Sequence, residues 1–349
     1  MKIVIVGHFH PNTRSYQRKR ALRELGHEVI ECPSVPKSWE LDHKPPLWSR
    51  VLTKVGFPPD LTRANKTILL EVERHHPEIL WIDKGNTVWP RTLQAAKKLS
   101  PTTQFVSFSD DDMFAPINRS IFYTRGLKYY DYVFTTRRCN CNADELPSLG
   151  AKRVMFVNKA YDIHTHRPVP VSSDDIEAFG GDVGFIGSYE RERADSLLYL
   201  ARNGVSVRVW GTLGWHKLSG LHPNLIIEGR PLLGEDYIKG LCATRINLGF
   251  LRKMQRDLHT SRTFEIPACG AFMLAERTDE HLRLFEEGKE AAYFGSNKEL
   301  LKKVGYYLDH EEERRAIASA GRKRCLNSRY SLHERVEDIL SVVGESTSK

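Results

Sequence analysis

"KIVIVGHFHPNTRSYQRKRALRELGHEVIEC", residues 2–32, decides how the rest of the chain is read. Lys2 to Val6 reads as a buried strand, Arg14 to Leu25 as a helix ended by Gly26, and His27 to Cys32 as a second strand. The same alternation continues outward. Ile79 to Ile82, Gln104 to Phe108, Tyr132 to Thr136 and Arg153 to Val157 are further strands, with helical stretches between them. Short strands separated by helices imply βαβ units and a parallel sheet. Parallel pairing buries both faces, which accounts for strands without strict polar alternation.

Two stretches interrupt the rhythm. Residues 33–60, "PSVPKSWELDHKPPLWSRVLTKVGFPPD", form a Pro- and Trp-rich excursion of a length that is usually functional or mobile. Arg167 to Asp182 reads as a linker. After it the pattern restarts, with strands at Val183–Ile186, Val205–Trp210, Leu225–Glu228, Ile246–Phe250 and Phe272–Leu274, and a helix at Glu192–Arg202. From Lys298 the chain is almost all helix, in segments Leu300–Leu308, Glu311–Arg324 and Leu332–Val343. The halves share architecture and no sequence repeat. The expected organisation is an α/β protein of two Rossmann-like parallel-sheet domains facing a cleft. The first domain spans 1–165, a linker 166–181 and the second domain 182–330. Ligands of open α/β sheets bind beyond the carboxyl ends of the strands.

Bulk properties agree with a two-domain globular chain. Its 349 residues exceed one ordinary domain, and 40% hydrophobic with 28% charged residues suits a soluble protein. The net charge of +8 and pI of about 9.1 fit an anionic partner: nucleic acid, nucleotide phosphates or an anionic membrane surface. Charge alone does not choose among them. The basic residues are dispersed; Arg18–Arg20 and Gly321–Arg324 are the compact clusters, and such clusters are commonly solvated helix faces. Six scattered cysteines lack the paired spacing of a zinc site and read as reduced thiols. No H-E-x-x-H pattern appears, so no metal is expected. "GHFHPN" is not G-x-G-x-x-G, which argues against a dinucleotide oxidoreductase. No stretch approaches the roughly 20 apolar residues of a spanning helix, and the first apolar run is too short for a signal peptide. A cytoplasmic protein is expected.

Three stretches carry residues suited to chemistry. In "VGFIGSYERERADSLL", Val183 to Leu198, a strand runs through Gly187-Ser188 into a helix bearing Arg191 and Arg193. Glycine admits a phosphate, a helix N-terminus offers free N–H groups, and arginine adds bidentate donors. A solvated surface helix has the same composition. In "RTFEIPACGAFMLAE", Arg262 to Glu276, Glu265 heads a helix where it can accept from vicinal hydroxyls, and Arg262 can hold a phosphate or pair with Glu265. Stabilisation by the helix dipole explains Glu265 equally well. In "FVSFSDDDMFAP", Phe105 to Pro116, three adjacent acids follow a strand. Their mutual repulsion is expected to raise at least one pKa, and an acidic helix cap is the competing explanation. His8 and His10 follow the first strand and are placed at the border of an acceptor site. His75, His76, His164 and His166 are expected on the surface or in the linker.

In sequence order, strand–Gly-Ser–Arg-bearing helix, "RTFEIPACGAF", "LFEEGKEAAYF" and "YYLDHEEERRAIASAGRKR" resemble the C-terminal half of the CgeB-like spore-maturation glycosyltransferases. The likeness covers roughly 181–335 and is weaker over 1–160. The resemblance implies the GT-B class, a final helix over 331–349 that returns to the first domain, and a nucleotide-sugar donor, a UDP-sugar, with no metal or other cofactor. It places Glu265 on the ribose, Gly187, Ser188, Arg191 and Arg193 against the diphosphate, and the backbone of Glu228–Gly234, with Arg230 and Pro231, beside the base. In related retaining enzymes an acid lies eight positions before the ribose glutamate, and Asp257, shorter than the usual Glu, holds that spacing as a sugar contact. Phe108-Ser109-Asp110 is similar to the Phe-Thr-Asp of phage DNA β-glucosyltransferases. That likeness makes Asp110 the first candidate for general base and Asp111 the second, with His8 beside the acceptor.

The sequence therefore points to a metal-independent glycosyltransferase acting on an unidentified acceptor hydroxyl. A nucleotide-sugar epimerase and a non-catalytic sugar-nucleotide-binding or coat-assembly protein are the alternatives, and a modified base in DNA is an alternative acceptor. A glycan, a protein or a small molecule fits equally as acceptor partner.

Overall fold

The computed structural model describes residues 1–39, 43–212 and 214–345. The chain forms two compact units, one made of Met1–Asn158 and the segment from Leu332 onward, the other of Lys159–Ser331.

In the first unit the strands are β1 (Lys2–Gly7), β2 (Glu28–Pro33), β3 (Ile79–Asp83), β4 (Gln104–Ser109), β5 (Tyr132–Thr135) and β6 (Val154–Phe156). The helices are α1 (Arg14–Glu24), α2 (Leu47–Lys54), α3 (Ala64–His75), α4 (Pro90–Leu99) and α5 (Ile121–Gly126). The sheet is wholly parallel in the order β2-β1-β3-β4-β5-β6, with Val4 beside Ile30 on one side and Leu80 on the other. Ile3, Val4, Ile5 and Val6 are fully buried, as a strand covered on both faces requires. Thr13 caps α1 by accepting from the Tyr16 N–H. The excursion over 33–60 contains α2, and its residues 40–42 lie outside those described.

The second unit carries α6 (Ser173–Phe179), β7 (Gly181–Ile186), α7 (Arg191–Arg202), β8 (Val207–Trp210), β9 (Leu225–Ile227) and α8 (Gly234–Ala243). It continues with β10 (Thr244–Gly249), α9 (Arg262–Ala268), β11 (Met273–Glu276), α10 (Asp279–Leu284), β12 (Ala292–Phe294), α11 (Asn297–Asp309) and α12 (Glu311–Asn327). Its sheet is also parallel, ordered β12-β11-β10-β7-β8-β9. The sequence pattern leaves out β12. It also reads 166–181 as a linker, and there the structure differs. Ser172 and Asp175 form a reciprocal capping box that starts α6, Lys239 of α8 pairs with Asp175 at 3.0 Å, and β7 begins at Gly181. The Pro and Ser residues in that stretch punctuate a helix start.

The strand orders fix where ligands are expected. Neighbours of β1 diverge to β2 on one side and β3 on the other, and neighbours of β7 diverge to β8 and β10. Each divergence leaves a crevice at the carboxyl ends, because the connecting chains leave toward opposite faces.

The final helix, α13 (Leu332–Glu345), belongs to the first unit and packs on α1. It buries Leu332, Val336, Ile339, Leu340 and Val343, which recur at helical spacing along one face. Ile339→Ala should cost about 3 kcal/mol. In native-state hydrogen exchange the loss should lower protection of β1–β6 while leaving β7–β12 unchanged; equal loss in both sheets would contradict the assignment of α13.

Candidate functional site

The crevice of the second unit is built around two arginines with opposite roles. Arg193, in the first turn of α7, is only 1% exposed. Its guanidinium donates to the carbonyls of Leu251 (3.1 Å), Ser188 (3.0 Å) and Phe250 (3.5 Å). It therefore ties the loop after β7 to the loop after β10, across the divergence point. Burial, and then the nearby Arg262, push its pKa down to about 10, which still leaves it charged at neutral pH. Arg193, expected against a diphosphate, donates here to the backbone carbonyls of both loops. The Arg191 side chain is 90% exposed and lies 3.9 Å from Asp195. At that position a helix turns its side chain to solvent.

Arg262 is the other arginine. It begins α9, its side chain forms no hydrogen bond or ion pair among the described residues, and its Nε is buried without a partner. The guanidinium lies 5.8 Å from the centre of the Phe185 ring. A methyl group at Gly187 would stand 3.3 Å from its Nη2 and 2.7 Å from the Phe185 ring, so this approach needs glycine. The Gly187 carbonyl accepts from Trp215 Nε1 at 2.8 Å, and its N–H donates to the Trp210 carbonyl at 2.9 Å. Gly211 crosses so close that a Cβ there would fall 2.1 Å from the Gly187 oxygen. A rigid backbone turn therefore sits beside an uncompensated cation.

Arg262 forms no ion pair with Glu265. Glu265 is 6% exposed; Tyr237 donates to its Oε2 at 2.5 Å, and His166 Nε2 lies 3.6 Å from its Oε1. Burial, then the Glu265 charge, hold the Tyr237 phenol far above its usual range, so it remains a donor. His166, expected in a linker, is 4% exposed, accepts from the Asp162 N–H at 2.8 Å and meets the Tyr237 ring edge-on. The chain has already entered the second unit at Lys159, which is why His166 is internal. Arg230 is half-exposed and 3.8 Å from Asp236, and Pro231 is exposed. Asp257 is buried and accepts from the Arg252 N–H at 3.2 Å.

Behind α9, His281 receives the Thr263 hydroxyl (2.9 Å) and meets the Glu276 carbonyl (2.6 Å), with its ring stacked on Tyr293. Both ring nitrogens are thus satisfied in the neutral form.

At the strand ends of the first unit the three adjacent acids take separate partners. Asp110 Oδ2 is 3.2 Å from Arg18, Asp111 Oδ2 is 2.7 Å from Lys84, and buried Asp112 accepts from Asn140 at 2.8 Å. The expected repulsion within a bunched triad gives way to these pairings. Arg18 is shared with Asp83, which also accepts from Trp81 Nε1 at 2.9 Å. Burial works against the Arg18 charge, but Asp83 and Asp110 outweigh it and raise its pKa. Sequence reading missed Asp83; its position at the end of β3 was the available signal. It also missed Tyr237, which lies mid-helix with no local pattern. His8 follows β1, its Nε2 is buried without a hydrogen bond, and burial, then His10, lower its pKa.

Residues 191–341 match a family model described as glycosyl transferase-like. Anabaena HepE in complex with UDP and glucose superposes with a TM-score of 0.66 at 13% identity, covering 99% of this chain and 100% of that one. The chain adopts the GT-B fold. An alpha-glucosyltransferase in complex with UDP and a 13-mer DNA containing an HMU base gives 0.65 at 14% identity, over 99% of both chains. That neighbour is an alpha-glucosyltransferase, whereas the Phe-Ser-Asp likeness pointed to β-glucosyltransferases. A putative UDP-N-acetylglucosamine 2-epimerase from Listeria monocytogenes gives 0.54 at 13% identity, over 97% of this chain and 94% of that one. No curated protein matches the GT-B chain by sequence.

The burial of His281 predicts a pH dependence. Its pKa is pushed down to about 4 by burial, with the Glu276 carbonyl opposing and His259 adding to the fall. Below the ordinary value of 6.5 the unfolded chain takes up a proton that the folded chain refuses until about pH 4. Folding stability should therefore fall by about 3 kcal/mol as pH drops through that window. Urea unfolding of His281→Gln should show a shallower slope there; an unchanged slope would contradict a neutral His281.

Proposed function

We propose that this protein is a glycosyltransferase that moves a sugar from a nucleoside-diphosphate donor to an acceptor hydroxyl without a metal. The observation that carries this reading is Arg262, a cation with no hydrogen bond or ion pair among the described residues, beside the Gly187 turn at the divergence point of the second sheet. An anion at that point would gain a charge-assisted contact without breaking an existing pair. A departing diphosphate develops charge as the glycosidic bond breaks, so a fixed guanidinium favours the transition state over the ground state. The free N–H groups at the start of α7 add to this, with Ser188 between them and Gly187.

In this reading Glu265 accepts from the ribose hydroxyls. Each carboxylate oxygen has more than one lone pair, so Tyr237 and His166 can orient it without saturating it. Arg193 is a positioning residue that holds the two loops. Asp257 and the backbone around Arg230 and Pro231 border the sugar and base. Asp110 is the base candidate for an inverting reaction, oriented by the Arg18–Asp83 pair, with Asp111 second and His8 beside the acceptor. UDP is the favoured nucleotide, since UDP occupies HepE and the DNA-bound alpha-glucosyltransferase. The CgeB-like grouping and residence in the cytoplasm are parts of the same proposal. Among the described residues no helix is long and apolar enough to cross a membrane.

Calorimetry with UDP and a panel of UDP-, GDP- and TDP-sugars tests the donor site. Arg262→Ala should weaken UDP binding at least about tenfold, as expected for loss of a charge-assisted contact. Glu265→Ala should weaken UDP more than it weakens inorganic pyrophosphate, which has no ribose. Absence of affinity for every nucleoside diphosphate would end the proposal. In turnover assays, UDP release that needs an acceptor, including duplex DNA with a hydroxymethylated base, marks transfer. An isomerised donor without acceptor marks an epimerase instead.

A further inference from the structure

Helix α2 is built inside out. At about 100° per residue, Leu47, Trp48, Val51 and Leu52, with Val55 just past the end, fall on one arc, and Ser49 and Thr53 fall opposite. A surface helix ordinarily turns its apolar arc inward. Here Ser49 is the buried residue, while Leu47 is 72% exposed, Trp48 53%, Val51 53% and Val55 60%. The segment is held in this pose. The Gly56 carbonyl accepts from the Ile121 N–H at 3.0 Å, and the Phe57 ring meets Phe122 edge-on at 5.8 Å. The Thr53 side chain is itself exposed, and its hydroxyl donates to the Ser49 carbonyl at 2.8 Å.

Charge indicates what covers the apolar arc. From His43 to Pro59 the sequence contains Lys44, Arg50 and Lys54 and no Asp or Glu. All three cations are exposed, and among the described residues none has an ion pair. Arg50 and Lys54 lie along one flank of the arc, where long side chains can keep their charge in water while the neighbouring groups are buried. A second copy would set like charges against like, which opposes self-association. Nucleic acid would neutralise the cations but leave Leu47, Trp48, Val51 and Val55 in water. An anionic bilayer meets both demands, with apolar side chains at the acyl boundary, cations at the headgroups and Trp48 at the interface.

We propose that residues 44–57 dock this protein reversibly on an anionic membrane surface. This proposal does not depend on the transferase reading. The test is flotation of the full chain with phosphatidylcholine vesicles, with or without about 30% phosphatidylglycerol. The protein should float with the anionic vesicles and not with the neutral ones, and added salt should release it. Val51→Ser with Val55→Ser, and separately Arg50→Glu with Lys54→Glu, should each lower the bound fraction at least about tenfold. Both variants should keep the wild-type melting temperature and UDP titration, since these side chains are exposed. Failure to float, or flotation that both variants retain, would overturn the proposal. So would finding that the substitutions abolish a concentration-dependent dimer, or binding to duplex DNA, while leaving vesicle binding unchanged.

Discussion

The contact on which the second unit depends is the buried guanidinium of Arg193 and its three backbone carbonyls. Placing a charge at 1% exposure carries a desolvation cost of several kcal/mol, offset only if its donors are satisfied. Here the acceptors are the carbonyls of Ser188, Phe250 and Leu251, which belong to two loops leaving the sheet in opposite directions. The arginine thus converts the open divergence point of a parallel sheet into a fixed frame. Glu190 reinforces the frame, accepting from Arg252 Nε at 3.1 Å and from the Lys253 N–H at 3.3 Å. With the frame set, Arg262 needs no partner to hold it in place. Its neighbours Phe185 and Gly187 define its position by shape.

The first unit reaches a similar end with a different device. At its divergence point the braced cation is Arg18, and its partners are carboxylates. Asp83 and Asp110 come from the ends of two adjacent strands, and the Phe108 ring lies 4.3 Å from the guanidinium carbon. One unit therefore holds a guanidinium without an ion pair among the described residues, and the other a set of positioned acids.

Strand positions were largely legible in the sequence, because each is a continuous apolar run that a parallel sheet buries on both faces. Boundaries moved by at most two residues, as with Val205–Trp210, where the strand starts at Val207. Strand β12 went unread, and α6 was hidden because Pro and Ser in 167–173 suggest a linker while Ser172 and Asp175 spell a cap. The site was legible in placement and less so in role. Arg193 and Arg191 look alike in sequence, yet one is buried and one is in solvent, a distinction set by the turn of α7 against the sheet. Tyr237 and His166 lie 28 and 99 residues from Glu265, and only the folded chain brings them to its carboxylate. Local pattern carries no trace of such a meeting.

The return of α13 to the first unit has a consequence for synthesis. As the chain leaves the ribosome, residues 1–158 emerge early with the face of α1 uncovered, and they stay so while all of 159–331 is made. The second unit is contiguous and can close without waiting. The earlier-made half is therefore the later one to be finished, with its last hydrophobic layer delivered across the longest sequence separation in the fold. Loop closure over such a span is entropically slow, so the nascent first half must persist as an incomplete sheet protein until the terminus arrives.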